Sequence, residues 1–365
     1  MRVQIPPCPY ANAIMINMHY ATTLPLHGGK APRWLYGRMV KLGRAISMVI
    51  MDEYSADELV RRLSDPNWFQ ALACAIGYDW HSSGTTTVTV GALKEALNDT
   101  KEIYIAGGKG RAGTNTPNDI EKGADLLSIP SRAEELVQTS RLAAKIDSSM
   151  VYDNISIYHH SFIFTKSKWA VVQQAMEQKG SNAIRFQWFS DTVDKKDIAN
   201  EPHTAVAASV HKKTIDLTYK ENSWARAGSL EALDEYSNII TSGYPGRHRL
   251  LYDVDLSSTA RKAIEMASTV NPKDYKELLL VKGVGRSTIR SLAFIASLIF
   301  GKELAYRDPA AFAYNLGGKD GIPFPVQRGT YDNVIESMNY IIDASNIDRQ
   351  EKIDALKRLS AYMKA

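Results

Sequence analysis

Imidazole meets carboxylate at three places in this sequence. His81 stands two residues after Asp79, the pair His159-His160 follows Asp153, and His203 stands two residues after Glu201. These residue types can share a divalent cation or pass a proton. A cation held there, Mn or Mg, would activate water and neutralise charge developing on a phosphodiester. Asp79, His81, Asp153, His159, His160, Glu201 and His203 are therefore the catalytic candidates. Asp79, His81, His159, Glu201 and His203 are the candidate metal ligands. His159 and His160 lie in a stretch that alternates like a strand, so their side chains should face opposite ways and do different work. No HExxH motif and no zinc-deaminase signature occurs, and the two cysteines, Cys8 and Cys74, lie too far apart in sequence to suggest a zinc pair or a disulfide framework.

Glycine and lysine suggest a second chemistry. Gly-Gly-Lys recurs at 28–30, 107–109 and 317–319, each time where a turn is expected. Successive glycines can expose adjacent amides to an anion while lysine adds charge. None of the three has the spacing of a mononucleotide-binding loop. Residues 278–290 read as a helix end, a tight turn Gly283-Val284-Gly285 and a new helix capped by Ser287 or Thr288. Val284 should plug between the helices, leaving the turn amides outward beside Lys282, Arg286 and Arg290. That suits one phosphate of a nucleic-acid backbone. The phosphate-binding candidates are Lys109, Arg111, Lys282, Gly283, Gly285, Arg286 and Lys319. Trp68, Trp80, Trp169 and Trp188 accompany the polar clusters; they fill a core or stack on unpaired bases.

The 283–288 turn resembles the helix-hairpin-helix module of DNA-repair proteins. Within that group, the glycosylases place an aspartate after the hairpin to support departure of a base, and Asp308 is the match here. The bifunctional glycosylases carry a lysine nucleophile where this chain has Ser287, so that resemblance implies a monofunctional enzyme. Across nearly the whole chain, the runs Leu24-Pro25-Leu26-His27-Gly28-Gly29, Asp79-Trp80-His81-Ser82-Ser83-Gly84 and Gly317-Gly318-Lys319-Asp320-Gly321 resemble an archaeal and bacterial family catalogued as domain of unknown function 763. Tyr158-His159-His160, Trp169-Ala170-Val171-Val172-Gln173-Gln174 and Glu201-Pro202-His203 fit the same family. This likeness implies a family-specific amino-terminal part joined to a helix-hairpin-helix region, and it brings no settled activity with it.

The elements that must position these residues follow from periodicity. Residues 34–51, 58–63 and 68–76 read as helices, 88–97 as another, and 102–106 as a short strand. Helices over 118–126 and 131–146 lead to an alternating strand at 151–164. A returning strand follows at 169–174 with a short helix to 179, then a strand at 184–189. From 229 onward the pattern is almost wholly helical, ending in helices at 330–344 and 349–363. The fold class is therefore α+β: a mixed alpha/beta amino-terminal domain, 1–220, followed by an all-helical helix-hairpin-helix domain, 221–365.

The chain has 365 residues, 44% of them hydrophobic and 23% charged, with a formal net charge of +4. That balance permits a nucleic-acid partner without requiring one. No signal peptide and no apolar run of membrane-spanning length is seen, which predicts a cytoplasmic protein without a membrane partner. A homo-oligomer is left open. These observations lead to a DNA-processing protein, a divalent-metal-dependent DNA nuclease acting in repair. Its alternatives are a monofunctional DNA glycosylase centred on Asp308 and a non-enzymatic DNA-binding protein.

Overall fold

Short polar side chains set the starts of the first helices. The computed structural model describes residues 31–77, 83–177, 183–208, 213–241, 258–310 and 328–364. Helix α1 (Arg33–Glu53) is followed by α2 (Ala56–Leu63), whose first turn is capped by Ser55 accepting the Glu58 amide at 3.1 Å. In α3 (Pro66–Ile76), the Asp65 carboxylate accepts the amides of Asn67 and Trp68 at 2.8 and 2.9 Å, and proline occupies the first helical position, where its missing N–H costs nothing. After α4 (Ser83–Leu97) comes the first strand, β1 (Tyr104–Lys109).

Strand β1 continues straight through Gly107, Gly108 and Lys109, so the middle Gly-Gly-Lys copy is strand and not turn. A Cβ at Gly107, whose φ is +83°, would run into the His160 carbonyl oxygen and the Thr116 hydroxyl. The short α5 (Arg111–Thr114), α6 (Thr116–Leu126) and α7 (Ala133–Ile146) follow, and α7 runs into a π-helical turn at Asp147–Val151.

Strands β2 (Ile155–Phe164), β3 (Trp169–Glu177), β4 (Ala183–Phe189) and β5 (His203–Ala207) join β1 in an antiparallel sheet of order β1-β2-β3-β4-β5. Strand β3 extends to Glu177, where a short helix is expected from the sequence. One sheet face packs Ile105, Ile163, Ala170, Val172 and Phe189 on α1–α4. The other packs Ala106, Phe162, Phe164, Val171 and Trp188 on α6 and α7. Both faces are covered, so polar residues along the middle of the strands are forced inside.

The described residues beyond 220 are helical apart from one two-residue strand: α8 (Ser223–Thr241), α9 (Ser258–Val270), α10 (Tyr275–Leu280), α11 (Arg286–Phe300), α12 (Arg328–Ala344) and α13 (Arg349–Lys364). This is the expected mixed alpha/beta part followed by a helical part. Two short strands, β6 (Thr214–Ile215) and β7 (Tyr306–Arg307), pair across the junction. Leu278, Val284, Leu292 and Ala296 belong to the same apolar cluster as Phe162 and Trp188, while Met338, Ile342 and Leu359 of α12 and α13 pack with the α1–α4 side. Among the described residues, no helix is long and apolar enough to cross a membrane.

Candidate functional site

Helix α7 carries its buried stripe through Leu136, Ser140, Ala143 and, in the π-helical turn, Asp147. That stripe faces a row of polar side chains on the sheet: His160 of β2, Gln173 of β3 and His203 at the start of β5. Asp147 is fully buried, and the His203 side chain is 6% exposed. The imidazole Nε2 of His203 lies 2.6 Å from Asp147 Oδ1. Trp188 Nε1 donates to Asp147 Oδ2 at 3.1 Å, and Gln173 Nε2 donates to the same oxygen. Gln173 Oε1 lies 2.9 Å from His160 Nδ1, and His160 Nε2 lies 2.7 Å from the Ser140 hydroxyl. The chain Ser140–His160–Gln173–Asp147–His203 thus runs unbroken from α7 across β2 and β3 to β5. Phe186 and Trp188 wall the His203 ring, with centroid separations of 5.6 and 5.1 Å.

Electrostatics follow from this burial. Desolvation pushes the Asp147 carboxyl up from its ordinary range, opposed by the His203 ring and by the donors on its oxygens. Burial pushes His160 down to about 4, so its ring is neutral at physiological pH. Helices seldom place a carboxylate on an apolar stripe, and π-helical turns often mark functional positions. Sequence reasoning missed Asp147 and Gln173. The 136–140–143–147 spacing could have revealed Asp147, because it puts an acid on the face that must be buried.

The histidines and acids expected from sequence separate into distinct places. His159 faces the opposite side of the sheet from His160, as alternation requires. Its Nε2 lies 2.8 Å from the Ser161 hydroxyl, and burial, with smaller contributions from His160 and Lys109, pushes it down to about 3. Asp153 pairs with Arg290 at 2.8 Å. Glu201 pairs with Arg307 at 2.6 Å, and the same guanidinium reaches the buried Asp216 at 2.6 Å. His160 and His203 are therefore the two expected residues that share one network. Asp79, His81 and Lys319 lie outside the described residues. Among the described residues, no group of three or more His, Cys, Asp or Glu side chains could hold a metal ion. Trp68, Trp169 and Trp188 are buried in the apolar clusters, and Cys74 is buried in α3. Lys109 and Arg111 stand exposed at the end of β1 and the start of α5. The Lys109 ammonium lies 5.9 Å from the centre of the Tyr158 ring, and the Gly110 amide is occupied by the Tyr158 carbonyl at 2.9 Å.

The α10–α11 connector spans residues 281–285. Val284 is 1% exposed and plugs into the helical core. Gly283 has φ +89°, a conformation glycine adopts without strain. Gly285 is extended and stands at the N-cap of α11, so the first-turn amides have no side-chain cap. Ser287 and Thr288 fall inside the helix and do not cap it as the sequence suggests. Lys282 and Gly283 are exposed. Arg286 turns inward: its Nε and Nη2 donate to the Ser148 carbonyl at 2.9 and 2.7 Å, and Nη2 also reaches the Ile155 carbonyl. Lys145 donates to the Val284 carbonyl. The connector is thereby braced on the π-helical turn that carries Asp147. Asp308 follows β7, and its Oδ1 accepts the Ala310 amide at 3.0 Å.

Comparison with curated proteins and with solved structures gives no match. A family profile does match, over residues 20–326, and it agrees with the resemblance carried by the histidine and glycine runs. The chain belongs to that family, described as a protein of unknown function, DUF763.

Proposed function

We propose that this protein processes DNA: residues 221–365 grip the sugar-phosphate backbone through the 281–285 connector, and residues 1–220 hydrolyse a phosphodiester. One observation carries the reading. The start of α11 presents first-turn amides with no side-chain cap, beside the exposed Gly283 and the exposed Lys282. Such an arrangement favours a phosphate and ignores base identity. It supports the helix-hairpin-helix likeness of the same residues.

Hydrolysis is favoured over base removal because the Asp308 carboxylate caps the turn that follows it, through the Ala310 amide. Dependence on Mn or Mg is part of this reading. Labelled single-stranded, duplex and flap DNA should be cut with either metal and spared with chelator. Duplexes containing uracil, hypoxanthine or 8-oxoguanine should show no breaks that need hot alkali. Alkali-dependent breaks that vanish in Asp308→Asn would replace this reading with the glycosylase one. Binding without cleavage under every metal condition would leave a DNA-binding protein alone.

A further inference from the structure

Stacking on an unpaired base needs an aromatic ring in water. Of the four tryptophans that accompany the polar clusters, Trp80 lies outside the described residues, and Trp68, Trp169 and Trp188 are buried. The exposed ring is that of Trp34, in the first turn of α1, with 65% of its surface in water. An apolar side chain standing alone at a surface needs no function. What singles this one out is its company. Met39, Leu42, Ile46 and Ile50 turn one side of α1 to the core. Helical spacing gathers Arg33, Trp34, Gly37, Arg38 and Lys41 on the opposite side, and all five are exposed. From Arg33 to Met51 the chain holds four cations and no acid.

The neighbours decide which of those cations is free to act. Arg44 is paired with Asp99 at 2.6 Å. The Glu351 amide chiefly, and Lys41 in small part, hold the Asp348 carboxyl low, so Lys41 already faces an acid. Arg33 and Arg38 form no ion pair among the described residues. No side chain caps α1 after Pro32, so the helix end adds to their positive field. The Arg38 guanidinium lies 5.4 Å from the centre of the Trp34 ring. A cation held against one face steadies the ring and leaves the other face to a flat partner. A Cβ at Gly37 would meet nothing within 4 Å, so the backbone beside the ring is open to close approach.

We propose that the amino-terminal end of α1 binds single-stranded DNA, one base stacking on Trp34 while Arg33 and Arg38 pair with the adjoining phosphates. A docking protein would be met by an apolar cluster inside a polar rim. Among the described residues, Trp34 is instead the one large hydrophobic side chain exposed on α1, and cations surround it. That is a stacking platform beside a backbone track. Every base has a π face, so the site accepts any sequence, and a duplex hides those faces, so it selects for strandedness. The site is separate from the 281–285 connector and does not depend on it: α1 belongs to the apolar cluster on one face of the sheet and Val284 to that on the other.

The experiment measures affinity of the full-length protein for labelled oligo-dT and for a blunt duplex of equal length, by fluorescence anisotropy across a salt series. Trp34→Ala should weaken oligo-dT binding on the order of 10- to 100-fold. Trp34→Phe should keep most of it, and duplex affinity should be unchanged in both. Replacing Arg33 and Arg38 together with alanine should reduce the salt slope for oligo-dT by about 1.4, since single strands give about 0.7 per phosphate contact. Oligo-dT carrying 5-iodouracil, crosslinked by light, should label the peptide that contains Trp34. Unchanged oligo-dT affinity in Trp34→Ala, or crosslinks confined to the connector, overturns the inference while the connector's grip stands. An equal loss on duplex and single strand overturns the stacking role. A changed oligomeric state in Trp34→Ala with oligo-dT binding intact makes this face a protein contact instead. Wild type that binds neither DNA overturns both readings.

Discussion

Arg286→Ala separates what the sequence suggests from what the fold does with the same side chain. A basic residue directly after Gly285 reads as a phosphate contact, yet its guanidinium donates to the carbonyls of Ser148 and Ile155. Alanine removes a charged donor from two backbone acceptors at the junction of the π-helical turn and β2. Hydrogen bonds to charged groups contribute about 1.5–3 kcal/mol each, and an acceptor left dry costs a similar amount. Arg286 is only half-buried, so water can replace part of the loss, and a total near 2–4 kcal/mol is expected. That corresponds to roughly a hundredfold shift in the unfolding equilibrium, since about 1.4 kcal/mol is tenfold. Urea unfolding followed by tryptophan fluorescence should show a lower midpoint with an unchanged slope. Amide exchange over residues 148–155 should quicken, and DNA affinity at temperatures where the protein stays folded should change little. Unaltered stability together with a marked loss of DNA binding would refute this account of Arg286 and restore the direct-contact reading.

Two further outcomes follow. Gly107→Ala should destabilise by about 2–5 kcal/mol, combining a left-handed φ with overpacking against the His160 carbonyl; an unchanged melting temperature would contradict the close approach of β1 to β2. Acid should also destabilise the fold. His159 and His160 have folded values of about 3 and 4, below the ordinary 6.5, so the unfolded chain binds more protons between those limits. Their contribution is complete above pH 6.5 and is lost as pH falls toward 4, at up to about 2.7 kcal/mol per pH unit for the two rings. Asp147, raised by burial, works in the opposite direction above its unfolded value of 3.8. Urea midpoints at pH 7 and pH 5 should therefore differ, with a smaller difference in His159→Gln; equal midpoints in wild type would argue against neutral buried rings.

Much of the fold was legible because apolar spacing dictates it. The α1 and α3 helices, the 155–164 strand, its partner from Trp169 and the last two helices all follow from period and punctuation. Strict alternation along β2, which would put Ile155 and Ile157 on the face of His159, does not hold. Ile157 pairs with Ala175 and His159 with Gln174, so Tyr158 is an extra residue that turns Ile155 and Ile157 to the face opposite His159. No glycine or proline marks that bulge, and alternation alone runs straight through it. Strand β5 was missed because it is five residues long and begins at the polar His203. The histidines were found as chemical candidates, but their partners were not. Nothing in the sequence around Asp147 or Gln173 marks either one, and only the fold brings Asp147 to His203. The glycine turn was read correctly at Val284 and Gly283, where sterics leave few choices. The fate of Arg286 depended on carbonyls 138 and 131 residues away in sequence.

The central claim is that the 281–285 connector holds a DNA phosphate. The most direct measurement is the salt dependence of DNA affinity for wild type and Lys282→Ala, read by fluorescence anisotropy on two unrelated sequences. Lys282 is exposed, so its removal should leave the fold and its stability intact. The account predicts that log Kd for wild type rises linearly with log salt. It also predicts that Lys282→Ala weakens both sequences equally and reduces the slope by about one. An identical slope and affinity for the two proteins would contradict it.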